Sequence, residues 1–416
     1  VVQVLTAERT SPDVPRMPAS TRVRSMLATP RPAFLTRHLA VLTLGHFTTD
    51  AYSSFFLPLL PLLAQRLGLN YAMIGGLTAL ASISGSFSQP LFGVLADRLR
   101  RPWFVAFGPL IAAMFMASVG LATSYGMLVW LLILGGIGVA MFHPQTAALA
   151  GASSAQRGMA MSFWITGGTL GWALGPAFAT AVVSQFGLER SWLAAIPGLL
   201  LCGVLLAWFA RVAPSAPARR AQAPVRELAP IWRPLLMLYL TVVSRSAVSA
   251  GFATFLPMWV HERGGDTAQG GVFTTIYLTL GSLGGFAGGW LADRFGGRRV
   301  VVRSFALAAP FYALFFVVPD PWRFVVLVIG YCIMQASLPV NVVLAQQLSP
   351  RHSGIVSSIM MGAAWGLGSL LIYPIGAMAD QVGLERALLA LSSLILVGWV
   401  CATRTEARPH EVVAPA

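Results

Sequence analysis

The chain has 416 residues, of which 56% are hydrophobic and only 10% charged, with a mean hydropathy of +0.73 and a net charge of +14. Soluble domains carry about 25% charged residues, so a water-soluble globule is excluded. All 28 basic residues are arginine, and their placement in alternate loops explains the charge without a nucleic-acid partner.

Residues 1–33 are rich in Arg, Pro, Ser and Thr and lack apolar periodicity, which predicts a disordered cytoplasmic tail. The initial Val suggests a non-Met start codon or an extended gene model, in which Met17 or Met26 could be the true start. The first apolar run outlasts the core of a cleavable signal peptide. Apolar stretches of bilayer length then follow almost without pause. They predict helices near 38–65, 71–97, 103–123, 126–150, 157–184 and 190–211. A second set follows near 233–261, 268–293, 300–318, 322–347, 353–380 and 385–404. Continuous apolar runs are unlike the short alternating segments of an outer-membrane barrel. The Pro/Ala/Arg stretch between the two sets is too polar to cross a bilayer.

The second set repeats the first. Gly93-Val-Leu-Ala-Asp-Arg-Leu-Arg-Arg-Pro102 returns as Gly289-Trp-Leu-Ala-Asp-Arg-Phe-Gly-Gly-Arg-Arg299, and Asp97 and Asp293 are 196 residues apart. The same offset carries Gly158 onto Gly354, Gly187-Leu-Glu-Arg190 onto Gly383-Leu-Glu-Arg386, and Leu60-Pro61 onto Leu256-Pro257. A constant offset at four separated places marks a duplicated unit. The expected organisation is a tail (1–33), a six-helix bundle (34–212), a linker (213–231), a second bundle (232–404) and a C-terminal tail (405–416). An even helix number per copy makes the repeats parallel. Arg98, Arg100, Arg101, Arg294, Arg298, Arg299 and Arg303 fall in loops of one set. The opposite loops hold Arg66, Arg190, Arg263, Arg323 and Arg386. The positive-inside bias then puts both termini in the cytoplasm.

The duplicated loop motif, the parallel repeats and twelve expected helices resemble the major facilitator superfamily over residues 34–404. A narrower resemblance is to the fosmidomycin-resistance group of drug exporters. It rests on Gly45-His46-Phe-Thr-Thr-Asp50, Ser88-Gln89-Pro90-Leu-Phe-Gly93, Phe142-His143-Pro144 and Gly171-Trp-Ala-Leu-Gly175-Pro176. Gln145 stands where an acidic residue can follow the His-Pro pair, and Ser162 where the longer antiporter motif has its first glycine. The resemblance implies an all-α membrane fold and a multi-pass transporter of the inner membrane.

Several residues stand out against this background. Asp50 falls about 18 Å into the first helix by helical rise, where a charge costs roughly 2.5–3.5 kcal/mol on insertion scales. His46 is one turn earlier on the same face, so the pair could exchange a proton, or Asp50 could simply bond a neighbouring helix. Arg245 lies at matching depth in the seventh helix. It could pair with Asp50 or bind an anionic group through its planar fork. His143 is a candidate relay, or a hydrogen-bonded kink beside Pro144. Gln89, Gln145 and Asn341, with Gln335 and Gln346, are intramembrane amides that could meet substrate or bridge helices.

Asp97, at a helix C-terminus, sits where the helix dipole disfavours an anion, whereas Arg98 and Arg101 suit it. The resemblance implies that Asp97 faces the start of the eleventh helix near Ser353-Gly354. The duplicate pair Asp293 and Arg294 would face the fifth near Gly158, forming a conformational latch. The glycines of the fifth and eleventh helices, such as Gly168 and Gly366, read as packing surfaces.

No phosphate loop, nucleophile–base motif or metal-ligand spacing occurs, so neither enzyme chemistry, a metal nor a cofactor is expected. Cys202, Cys332 and Cys401 read as packing residues. The expected function is proton-coupled efflux of a small anionic or amphiphilic compound by a monomer, with protons and lipid as its other partners. The alternative is proton-coupled import of an organic acid, sugar or peptide, and a non-transporting receptor ranks last.

Overall fold

The structure, a computed structural model, describes residues 35–99, 101–154, 156–211 and 225–405. The expected tails and most of the linker lie outside these residues. Secondary structure is helical throughout the described chain, without strands. In the first half it comprises α1 (Arg37–Ser53), α2 (Leu60–Leu67), α3 (Tyr71–Ser86), α4 (Gln89–Arg98), α5 (Trp103–Ala117), α6 (Tyr125–Ala152), α7 (Arg157–Phe186) and α8 (Ala195–Phe209). The second half begins with α9 (Trp232–Glu262), α10 (Thr267–Phe295), α11 (Gly297–Leu314), α12 (Trp322–Gln335) and α13 (Ser337–Leu348). It ends with α14 (Ser353–Ser358), α15 (Ala364–Leu370), α16 (Ile372–Val382), α17 (Leu384–Ser392) and α18 (Leu394–Thr403).

Eight helical stretches of the described residues are long and apolar enough to cross a membrane. Trp130, Leu200, Val317 and Trp322 are each at least 60% exposed. Apolar side chains spread this widely over the outside suit a lipid surface.

Breaks subdivide runs that the apolar pattern reads as continuous. Helix α1 gives way to a 3-10 turn at Leu57–Leu59, where Pro58 has no N–H for the ladder. Pro90 separates α3 from α4 in the same way. A π-helical turn at Ile359–Ala363 interrupts the run from α14 to α15, a distortion common at functional sites.

Within each half, glycine allows close helix approach. A Cβ on Gly171 of α7 would lie 1.9 Å from the Phe47 carbonyl oxygen, so α7 can lie directly on α1 only without side chains there. The two halves meet at the end away from the arginine-rich loops. There a Cβ on Gly376 of α16 would meet the Tyr71 carbonyl at 2.1 Å, and one on Gly75 of α3 the Ile372 carbonyl at 2.4 Å. Thr180 of α7 abuts Gly271 of α10 in the same layer. Among the described residues this contact does not extend along α4 towards the arginine-rich end. Leu91 and Val94 of α4 are exposed, and the nearest neighbour of a Cβ on Gly93 is Pro144 of α6, in its own half.

Candidate functional site

Three chemically active side chains converge inside the first half. Asp50 and His46 share a face of α1 because residues four apart sit one turn apart. His143 approaches from α6. His46 Nε2 lies 3.2 Å from Asp50 Oδ2, and His143 Nε2 lies 3.2 Å from Asp50 Oδ1. The two Nε2 atoms are also 3.2 Å apart.

The other ring nitrogens fix the protonation. His46 Nδ1 donates to the Trp164 carbonyl at 2.8 Å, and His143 Nδ1 to the Val139 carbonyl at 2.8 Å. A carbonyl oxygen only accepts, so each Nδ1 carries a hydrogen and each Nε2 turns towards Asp50. Trp164 of α7 also stacks on the His46 ring at 3.8 Å between centroids. Gly168, one turn further on, leaves room for that ring, since a Cβ there would fall 2.3 Å from His46 Nε2. Two imidazole nitrogens and two carboxylate oxygens thus meet with no proton assigned among them. Adding or removing one proton changes every interaction in the group.

The second half holds a different cluster. Arg245 of α9 is 3% exposed, and its Nη1 donates to Gln335 Oε1 at 3.0 Å. Gln335 in turn donates to the Tyr331 hydroxyl, which bonds Ser249 at 2.9 Å. The guanidinium also lies 5.6 Å from the centre of the Trp365 ring. Among the described residues no carboxylate pairs with it, and its Nε has no partner. Asn341 of α13 is wholly buried with both side-chain polar atoms unpaired. A buried cation met only by dipoles and a ring is under-compensated.

The expected site residues therefore separate. His46, Asp50 and His143 come together, whereas Arg245 bonds Gln335 rather than Asp50. Gln145 accepts from the backbone N–H of Val105 and so ties α6 to the first turn of α5. Gln89 donates back to the Gly85 carbonyl of its own helix run. Both amides do packing work in this arrangement. Of the latch residues, Arg98, Arg101, Asp293 and Arg294 are exposed. The side chains of Asp97, Gly158, Ser353 and Gly354 lie outside the described residues.

A contact that the sequence did not reveal lies at the opposite end. Asp380 of α16 accepts from the backbone N–H groups of Tyr71 and Ala72 at 2.8 and 2.9 Å. These are the first residues of α3, where unpaired N–H groups and the helix dipole favour an anion. Tyr71 also donates its hydroxyl to Glu262 of α9. Nearby, Arg263 and Arg323 both pair with Glu385. The missed signal was a break in the repeat, because the first copy has Ser184 where the second has Asp380.

The family model of the Major Facilitator Superfamily matches residues 42–373. The fosmidomycin resistance protein of Escherichia coli (strain K12) is 26% identical over 368 residues, covering 86% of this chain and 90% of that protein. An uncharacterized MFS-type transporter of Bacillus subtilis (strain 168) is also 26% identical, over 384 residues and with the same coverage. Among solved structures, a bacterial homolog of the human lysosomal transporter Spinster, in an inward-facing and occupied conformation, superposes with a TM-score of 0.73. That match has 18% identity and covers 88% of this chain and 96% of the other.

Proposed function

The chain belongs to the Major Facilitator Superfamily, whose members are membrane transporters rather than enzymes, and from that premise we propose proton-coupled efflux of a small anionic or amphiphilic compound across the inner membrane. The observation that carries this reading is the Asp50 carboxylate set between two imidazole Nε2 atoms at 3.2 Å. Such a group takes up a proton when one side of the membrane reaches it and gives the proton up to the other. Arg245, without a carboxylate partner among the described residues, supplies the attraction for an anionic substrate group. The relative named for fosmidomycin resistance supports a phosphonate antibiotic as the first compound to try.

The arginine-rich loops support a topology with both termini and that end of the molecule in the cytoplasm. Closure through Asp380 then lies on the outer face, which supports a state open to the inside and ready to load substrate. The protein works as a monomer, with each half moving as a body about the contact layer of α3, α7, α10 and α16. Asp97 and Asp293 would engage their helix starts only when the cytoplasmic end closes.

Transport direction tests the reading. In everted vesicles with an acidic lumen, fosmidomycin should accumulate inside, and a protonophore should abolish the accumulation. Expulsion of the compound from such vesicles, or uptake indifferent to the protonophore, would replace efflux with import or with uncoupled transport.

A further inference from the structure

The first-half cluster has a property that a proton relay does not require. Its donors crowd one point: His46 Nε2 is 3.2 Å from Asp50 Oδ2, His143 Nε2 is 3.2 Å from Asp50 Oδ1, and the two Nε2 atoms are 3.2 Å apart. Four-coordinate zinc, with bonds of about 2.0–2.1 Å, sets its ligand atoms roughly 3.3 Å apart. Both histidines already donate their far Nδ1–H to a backbone carbonyl, those of Trp164 and Val139. Metal-bound histidines commonly use this outer contact, because it fixes the tautomer and aims the Nε2 lone pair. Two lone pairs and a carboxylate gathered at one point offer a positive species three donors.

We propose that His46, Asp50 and His143 form a binding site for a divalent transition-metal ion of the zinc type. Two imidazoles and one carboxylate suit such an ion better than calcium or magnesium, which take oxygen ligands. The side chains of Asp50 and His143 are 17% and 21% exposed. Water can therefore complete the coordination from the open side, as it does at sites with three protein ligands. The proposal does not depend on proton coupling. If coupling also holds, metal and proton compete for the same lone pairs, and Zn²⁺ inhibits transport.

The test uses full-length, tag-free protein in lipid nanodiscs, stripped with a chelator and titrated with Zn²⁺ alone by calorimetry. One ion per chain should bind with micromolar affinity. X-ray absorption of the loaded protein should fit nitrogen and oxygen ligands at about 2.0–2.2 Å. Asp50→Asn and His143→Gln should each weaken binding at least tenfold, while His261→Gln should leave it unchanged. The absorption spectrum of the wild type reads the ligand set even where a variant folds poorly. No uptake by the wild type, or equal uptake by both site variants, overturns the proposal.

Transport driven by a pH gradient in chelator-treated vesicles separates the two ideas. Metal binding together with unaltered transport by Asp50→Asn removes coupling and keeps the metal site. Proton-driven transport without any metal uptake does the reverse.

Discussion

The two halves derive from one repeated unit, yet they treat a buried charge in opposite ways. In the first half Asp50 meets one base on its own helix and one on α6, and the cluster closes on itself. In the second, Arg245 sits one position from the repeat mate of Asp50 and, among the described residues, meets an amide, a ring and no anion. A charge that finds its partners at home can be held permanently. One that does not is under-compensated until something from outside arrives. The duplication thus leaves one half with a carboxylate held by two imidazoles and the other with a cation held by an amide and a ring.

Opposite stability changes are the sharpest way to break this comparison. Asp50→Ala strands two imidazoles and should cost about 3 kcal/mol, by analogy with breaking a buried pair, with pH-driven transport falling to vesicle background. Thermal unfolding in detergent and a vesicle assay check both parts. Next comes Gly168→Ala. It pushes a methyl into the His46 ring, should cost about 2 kcal/mol as overpacking, and should slow transport while leaving substrate affinity at Arg245 near wild type. Affinity well below wild type would show that the two clusters are not separate.

Arg245→Met should instead raise the melting temperature. Removing an uncompensated buried cation gains about 1 kcal/mol, while affinity for an anionic substrate drops and that for its neutral ester does not. A lowered melting temperature would mean that the guanidinium is compensated after all. The smallest effect is expected from Asp380→Asn, which keeps one of the two acceptor oxygens and removes the charge at the start of α3. The balance between outward-open and inward-open forms should move by less than about fivefold. Spin-label distances across the two ends read this directly.

Much of the fold was legible because its signals are local or periodic. Apolar runs set the helices, and the 196-residue offset set the repeat. Helix breaks were less visible: Pro58 and Pro90 announce them, but the π-helical turn at Ile359–Ala363 has no proline to mark it. At the site, His46 and Asp50 could be paired from their four-residue spacing. His143 could not, because 97 residues separate it from His46 and only the packing of α6 on α1 brings them together. That distance also hid the metal-like geometry, which no ligand spacing in the sequence suggests. Gln335 and Trp365 escaped as partners of Arg245 for the same reason. Gln145 was misleading, because an intramembrane amide looks the same whether it meets a substrate or caps a helix start.

The bonds from Asp380 to Tyr71 and Ala72 have an uneven mutational consequence. The donors are main-chain amides, so almost any residue at 71 or 72 still supplies them, and only proline deletes one. The acceptor is a single carboxylate with no spare. Drift over generations can therefore loosen this seal from one side only, and a screen for variants that leak towards the outside should return changes at 380 far more often than at 71 or 72.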